Sequence, residues 1–405
     1  MYDLVVIGGG VSGVFASINA ARNGKKVLII EKNLKLLQKL KITGKGRCNL
    51  TSAVETIDEV MDNIATNKRF MYSALSSFSN KDTIEFFESL GVELKEERGK
   101  RIFPKSDSAL TVVNALLDEV KRLKINILHD KAKKIITENG KVIAVKCDKN
   151  IIYVDNIILS TGGLSYPKTG STGDGYKIAK DLGHKIIKLK PSLIGLKSKK
   201  KDICKLSGLT LKNVSLQLFE NNKQVYSDFG EVLFTHVGIS GPIILSSSSH
   251  LSGNFANVKA VLDLKPALDF EKLDKRLIRD FEKFDKKEIK NSLDGLFPKD
   301  FAKLLIKRLG FDDTLKVNQI TKIQRRQIVE LIKSFEIEIL DFESIDNAVI
   351  TSGGIDCKEV NPKTMMSKII DGLYFAGEIL DVDAYTGGFN LQIAFSTAYI
   401  ASKLG

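Results

Sequence analysis

Gly8, Gly10 and Gly13 stand between two apolar runs in the stretch DLVVIGGGVSGVFASINAARNGKKVLIIEK, residues 3–32. The runs at 3–8 and 26–31 have the length and composition of buried strands, and residues 12–23 between them predict a helix. A G-x-G-x-x-G at such a strand-to-helix junction leaves the chain few choices. Gly8 allows the tight turn, Gly10 lets the backbone approach a pyrophosphate, and Gly13 lets the helix lie close on its strand. The helix start, with Val11 and Ser12 in its first turn, offers unpaired N–H groups and a positive dipole end to phosphates. Glu31, 18 residues past Gly13, closes the second strand where a ribose hydroxyl would sit, with Lys32 beside it. These features predict an α/β, Rossmann-like dinucleotide-binding domain.

The fingerprint alone does not separate NAD from FAD, and three further segments do. IILSTGG (157–163) ends a strand in Thr161, Gly162 and Gly163, small residues that let a dinucleotide lie close. LYFAGEILDVD (373–383) ends another strand in Gly377 and Glu378 and sets Asp381 just beyond. TGGFNLQIAFSTAYIAS (386–402) then begins a helix, with backbone amides near Gly388, Phe389 and Asn390 followed by Leu391 and Gln392. Such a helix start would stabilise negative charge on the N1–C2=O edge of a reduced isoalloxazine. An extended FAD would run from the first glycines to this tail, which an NAD-only domain does not need. Between them, TGKGRCN (43–49) supplies Thr43, Gly44, Gly46, Arg47, Cys48 and Asn49. The glycines permit a tight backbone, and Arg47 could pair with a phosphate or a substrate carboxylate. Cys48 has no partner cysteine in sequence and reads as a packed thiol beside the cofactor. Ala132 completes the expected cofactor contacts.

Helical spacing recurs at 81–90 and 108–123, and NILHD, AKKIITENGKVIAVKCD and IIYVDNIILST read as strands returning to a sheet, with a hairpin at ENG (138–140). From about 191 the pattern alternates, and VSLQLFE and KQVYSDF flank the turn NN at 221–222, as in an antiparallel sheet. Helical spacing returns at 269–335, then strand at 336–350. The expected organisation is a discontinuous cofactor domain at 1–190 and 351–405. It is interrupted by a β-rich domain at 191–268 with a returning strand at 336–350, and by a helical subdomain at 269–335.

VIGGGVSG, KITGKGRCNLTS, STGGLSYPKTGSTGDGY, LFTHVGISGPIIL, TSGGI and LYFAGEILDVDAYTGGFNLQIAFSTAY together resemble the glutathione-reductase-like FAD superfamily. Within it, the chain is similar to the BaiN-type, aminoacetone oxidase-like bacterial FAD-dependent oxidoreductases, in their order and over nearly the whole length. The resemblance implies an FAD domain with an inserted antiparallel β-barrel and a helical subdomain. It also implies FAD beside Ser12, Glu31, Arg47, Gly162, Glu378, Asp381, Asn390 and Gln392. Members are reductases or oxidases, many with no assigned substrate.

FTHVGISGP (234–242) offers His236 as a candidate catalytic proton donor or substrate-orienting group. The same segment reads as a strand-to-helix corner, with Gly238 and Gly241 for the turn, Ser240 as cap and Pro242 first in the helix. TGSTGDGY (169–176) shapes a site entrance with Tyr166, Asp174 and Tyr176, and TSGGI (351–355) is expected to close on the flavin from the inserted domain. Cys48, Cys147, Cys204 and Cys357 lie far apart with no CxxC, which argues against a redox pair or zinc site and for the reducing cytoplasm. The acids and histidines show no metal spacing. No apolar run reaches about 18 residues, so no membrane span is expected, and a strand starting at residue 3 leaves no room for a signal peptide.

The net charge is +13, Lys outnumbers Arg, and Trp is absent. Spread charges of this kind read as a solvated surface and argue against a nucleic-acid partner, while favouring an anionic small-molecule substrate. The densest run, LKSKKKDICK (196–205), reads as an exposed loop. Two function classes follow. One is an enzyme passing hydride between NAD(P)H, FAD and a small organic acceptor, or an oxidase using O₂. The other is a non-catalytic or regulatory FAD protein with a basic, RNA-binding surface. No second G-x-G-x-x-G is present, so any nicotinamide would bind without its own Rossmann domain.

Overall fold

The computed structural model describes residues 2–284, 286–312 and 314–404. The chain divides into two units, Met1–Ser192 with Ser344–Gly405, and Leu193–Glu343.

The first unit is built on five parallel strands: β1 (Leu4–Ile7), β2 (Val27–Glu31), β3 (Asn126–His129), β4 (Ile157–Leu159) and β5 (Leu373–Phe375). Their order is β5-β4-β1-β2-β3. β1 and β4 are buried along their whole length, which is why they read as unbroken Val, Ile and Leu rather than alternating. Helix α1 (Val11–Arg22) connects β1 to β2, α2 (Asp174–Asp181) follows β4, and α3 (Phe389–Ala401) follows β5. Phe15 of α1 holds the helical layer together, its ring 4.8 Å from Phe86, 5.0 Å from Phe395 of α3 and 5.2 Å from Phe78. α3 is apolar almost all round and buried almost all round, as a core helix must be.

From β1 the chain builds outward to β2 and β3 on one side, and later to β4 and β5 on the other. The carboxyl ends of β1 and β4 therefore flank the switch point, where open parallel sheets bind their ligands. Only 126–129 and 157–159 of the stretch 126–161 join this sheet. The strands at 132–138, 141–147 and 151–153 form a separate antiparallel one. The hairpin at its first turn places Asn139 and Gly140 at φ 49° and 76°, as a two-residue connection requires.

In the second unit six antiparallel strands close into a barrel in the order 196–198, 238–240, 223–234, 210–220, 258–263 and 335–342. The turn at Asn221 and Asn222, at φ 51° and 62°, joins the two longest strands. Helices Phe270–Lys283, Lys299–Arg308 and Lys322–Lys333 lie between the last two strands in sequence. Phe301 packs its ring 5.7 Å from Phe234 and 5.3 Å from Phe335, so the helices share a core with the barrel.

Three local expectations change. LKSKKKDICK is not a loop but a strand, Leu196–Ser198, and a short helix, Lys201–Cys204, with Lys199, Lys200, Lys201 and Lys205 exposed. Gly241 at φ 102°, not Ser240, caps the helix that begins at Pro242. TSGGI lies on the strand Ile350–Ile355, which pairs with Ile186–Ser192 inside the first unit rather than the inserted one. Among the described residues no helix is long and apolar enough to cross a membrane.

Candidate functional site

The carboxyl edge of the parallel sheet gathers most of the residues singled out in the sequence. Gly8 donates its N–H to Ile30 O at 2.9 Å, and the first intrahelical bond of α1 runs from Val14 N to Gly10 O. The N–H groups of Val11, Ser12 and Gly13 thus precede the helical ladder and form its positive end. A Cβ on Gly10 would meet no protein atom within 4 Å, whereas one on Gly13 would lie 1.9 Å from Gly8 O. The second glycine faces open space and the third is locked against the sheet, which is the division of labour the fingerprint requires. Glu31 accepts from Gly9 N at 2.7 Å and Asn33 N at 2.8 Å, and this fixes its carboxylate at the end of β2 beside the glycine turn.

α3 begins at the same edge of the first unit. Gly388 is its N-cap in a left-handed conformation, and Gln392 N to Gly388 O is the first helical bond, leaving Phe389, Asn390 and Leu391 N–H at the helix start. With its amide turned to suit both neighbours, Asn49 accepts from Gly388 N at 3.1 Å and donates to Thr51 O at 3.2 Å, which ties TGKGRCN to the tail. Within TGKGRCN, Gly44, Lys45, Gly46 and Cys48 all have positive φ, so the backbone makes a compact knot. Thr43 O accepts from Cys48 N there at 3.0 Å. Cys48 is fully buried, and burial pushes its thiol up to about 12.

Two loops cross this edge. The loop after β4 carries Thr161, Gly162 and Gly163, then Ser165, whose hydroxyl donates to Glu378 at 2.8 Å. It returns over the end of β2, where Asn33 Nδ2 donates to Thr169 O at 3.1 Å and Lys32 pairs with Asp174 at 2.6 Å. In the other direction, Lys39 reaches from the loop after β2 to Glu378 and Ser165, 2.6 Å from each. Thr351 completes the knot by donating its N–H to Glu378 at 2.9 Å and accepting from Leu164 N at 2.8 Å. Lys39 carries no signal in a lysine-rich stretch. Only the fold brings it 339 positions along the chain to Glu378.

Several side chains have partners other than those the sequence suggested. Arg47 is held by Glu97 and Asp107 and stacks 4.3 Å from the Phe103 ring centroid, so its guanidinium is committed to protein carboxylates rather than to a phosphate. Gln392 is fully buried; its Oε1 accepts from Thr51 and Thr83 at 2.7 and 2.8 Å, and its Nε2 donates to Ser396 and Phe78 O. Asn390 clamps the N–H and C=O of Ala384 at 2.9 and 2.7 Å. These two amides shape the tail from within. Lys32 is taken up by Asp174. Burial would raise that carboxyl, but Lys131, Lys32 and Thr172 outweigh it and hold it well below the ordinary range. Asp381 accepts from Asn67 at 2.8 Å, and burial raises its carboxyl. Ala132 is buried at the start of the small hairpin sheet. His236 is exposed on the barrel turn that Thr235 and Gly238 close with mutual backbone bonds. Among the described residues no group of His, Cys, Asp and Glu could hold a metal.

An extended dinucleotide fits these residues. Thr161 Oγ1 is buried without a hydrogen-bond partner and packs against Gly175 of α2, where a Cβ would lie 2.0 Å from it. The open face of Gly10, the fixed Glu31 carboxylate and the two helix starts lie in one unit. A parallel sheet with this glycine turn and a returning C-terminal helix is the fold of FAD-dependent oxidoreductases. The sequence matches, over residues 2–404, the family described as HI0933-like protein Rossmann domain. The chain belongs to that family. It is 31% identical to the 3-dehydro-bile acid delta(4,6)-reductase of Clostridium scindens, over 100% of this chain and 98% of the relative. It is 29% identical to the ribosomal RNA dihydrouridine synthase of Escherichia coli, over 99% of this chain and 97% of the relative. A solved 3-ketosteroid delta1-dehydrogenase from Sterolibacterium denitrificans shares the fold with a TM-score of 0.53 and 12% identity, covering 99% of this chain and 98% of that one.

Glu31→Ala is expected to weaken FAD binding by about 1.5–3 kcal/mol, the worth of hydrogen bonds to a charged group. It would also release the amides of Gly9 and Asn33. An unchanged flavin dissociation constant in the purified variant would place the ribose contact elsewhere.

Proposed function

We propose that this FAD-dependent oxidoreductase saturates a carbon–carbon double bond conjugated to a carbonyl, with a reduced nicotinamide as electron donor. The observation that supports this reading is a shared chemistry in two relatives matched along their whole length. A delta(4,6)-reductase of a 3-dehydro bile acid and a dihydrouridine synthase are both named for adding two hydrogens to such a bond. The geometry is the second support for this reading. Bound FAD would carry the hydride between donor and acceptor. The N-terminus of α1 would offer its amides to the pyrophosphate, and Glu31 would hold the ribose. The start of α3 puts positive dipole at the far end of the same edge, where charge on a reduced flavin would need it. Lys39, Glu378, Ser165 and Thr351 fix the two crossing loops between these ends.

The substrate in the first reading is a small, anionic ene-carbonyl compound. A second reading, a uracil ring within ribosomal RNA, is favoured by the net charge of +13 together with the dihydrouridine synthases of Escherichia coli and Haemophilus influenzae. One set of measurements separates them. The yellow protein is reduced without air by NADH or NADPH, then mixed with a steroid 4,6-dien-3-one, with unmodified ribosomal RNA, or with O₂. Reoxidation by the steroid or by the RNA, with the saturated product formed, supports the corresponding reading. Fast reoxidation by O₂ and by neither unsaturated acceptor would make the protein an oxidase and overturn both.

A further inference from the structure

We propose that Tyr166 is the acid that completes this double-bond reduction, an assignment that rests on the function proposed above. Hydride arriving at the β-carbon pushes the π pair toward the carbonyl and leaves the α-carbon in need of a proton. The structure offers few protic groups at the carboxyl edge of the sheet that are free to give one. The Cys48 thiol is fully buried. The Tyr176 hydroxyl is committed to Glu378 O at 3.3 Å, Asp381 to Asn67, and the Lys39 ammonium to Glu378 and Ser165.

Tyr166 differs from all of these. It lies on the loop that runs from Ser165, at the β5 side of the sheet, to Thr169, over the end of β2, and so crosses the carboxyl edge. It is half-buried, and its hydroxyl has no hydrogen-bond partner among the described residues. Its backbone is left-handed, φ 53° and ψ 59°, and it is the only aromatic residue among the described non-glycine positions of positive φ. Pro167 follows, and a proline presses the preceding residue toward extended backbone instead. A bulky side chain is held in such a conformation only where its surroundings dictate it, and such outliers gather at functional sites. Here Thr169 dictates it, donating from N and Oγ1 to Tyr166 O at 2.8 and 2.7 Å. Burial raises the phenol, which therefore carries its proton at neutral pH. The Lys39 ammonium lies over the ring, 5.8 Å from its centroid.

The step balances. Two electrons and one hydrogen come as hydride from the dihydronicotinamide, by way of FAD, and form the β-carbon–hydrogen bond. The displaced π pair forms the α-carbon–hydrogen bond with the Tyr166 proton, the O–H pair stays on oxygen, and water reprotonates the phenolate. The nicotinamide is oxidised and the double bond is reduced.

The test uses the FAD-loaded protein reduced in the absence of air. In Tyr166→Phe, reoxidation by the ene-carbonyl acceptor that serves the wild type should slow about 10²-fold or more, within the range of general acids. Reoxidation by O₂, flavin content and flavin reduction by nicotinamide should stay within about twofold of wild type on the same argument, because none of them uses this proton. Equal rates with the ene-carbonyl acceptor would overturn the assignment and leave the double-bond reading standing. A wild type that no ene-carbonyl reoxidises removes both. Where the phenylalanine variant loses its flavin, a difluoro analogue of the Tyr166 ring keeps the shape and sharpens the acid. An unchanged rate and solvent isotope effect with that analogue would equally sink the assignment.

Discussion

Gly13→Val is expected to yield a chain that retains no flavin and loses more than about 4 kcal/mol of stability, in the exceptional tail of single substitutions. A Cβ at this position would sit 1.9 Å from Gly8 O and 2.6 Å from Ser160 Oγ. Neither atom can retreat. Gly8 is held by its bond to Ile30 O, and the Ser160 hydroxyl donates to Ile7 O at 3.1 Å. α1 would have to lift from the sheet, which exposes Val14, Phe15 and Ile18 and breaks the contact between Phe15 and Phe395. The helix start would move away from the phosphates at the same time. Denaturant unfolding and flavin absorbance on one preparation check both halves. A yellow variant of wild-type stability would show that α1 packs some other way.

Gly388→Ala is the second large effect, and it separates two explanations of the same glycine. The sequence suggests that Gly388 is small so that the isoalloxazine can approach. In the structure its Cβ would meet the Thr51 backbone at 2.6 Å, from a φ of 96° that alanine also resists. Strain of about 1–3 kcal/mol adds to overpacking of about 1–3 kcal/mol, for a loss of about 2–6 kcal/mol. Because the obstruction is protein, the loss should already appear in flavin-free protein. Were the flavin ring the obstacle instead, the apoprotein would unfold at its wild-type midpoint and only FAD affinity would fall.

The parallel sheet and its glycine turn were legible because short-range chemistry specifies them: apolar runs of strand length, a fixed glycine spacing, an acid at the end of the second strand. The hairpins at Asn139–Gly140 and Asn221–Asn222 were legible for the same reason, since two-residue turns demand left-handed residues. What stayed hidden depends on partners distant in sequence. Arg47 looks available until the strands at 94–97 and 101–104 bring Glu97 beside it. Gln392 looks like a ligand until Thr51 and Thr83 are seen to fill its oxygen. TSGGI reads as closing on the flavin from the inserted domain, and only its pairing with Ile186–Ser192 shows that it belongs to the first unit. Lys39 is one lysine among several, picked out solely by Glu378.

The interruption of the first unit by Leu193–Glu343 also sets a timetable during synthesis. β1 and α1 leave the ribosome early, yet β5 and α3 are translated some 370 residues later. At about 5–20 residues per second the glycine turn waits roughly 20–80 s for its partners. In that interval the nascent chain exposes the faces of α1 and β4 that α3 and β5 will cover, while the barrel, contiguous in sequence, can close alone. FAD present during translation would then have nothing complete to grip until the tail emerges. Capture of the cofactor becomes a late event, and ribosome-bound chains stalled before residue 373 should come away colourless.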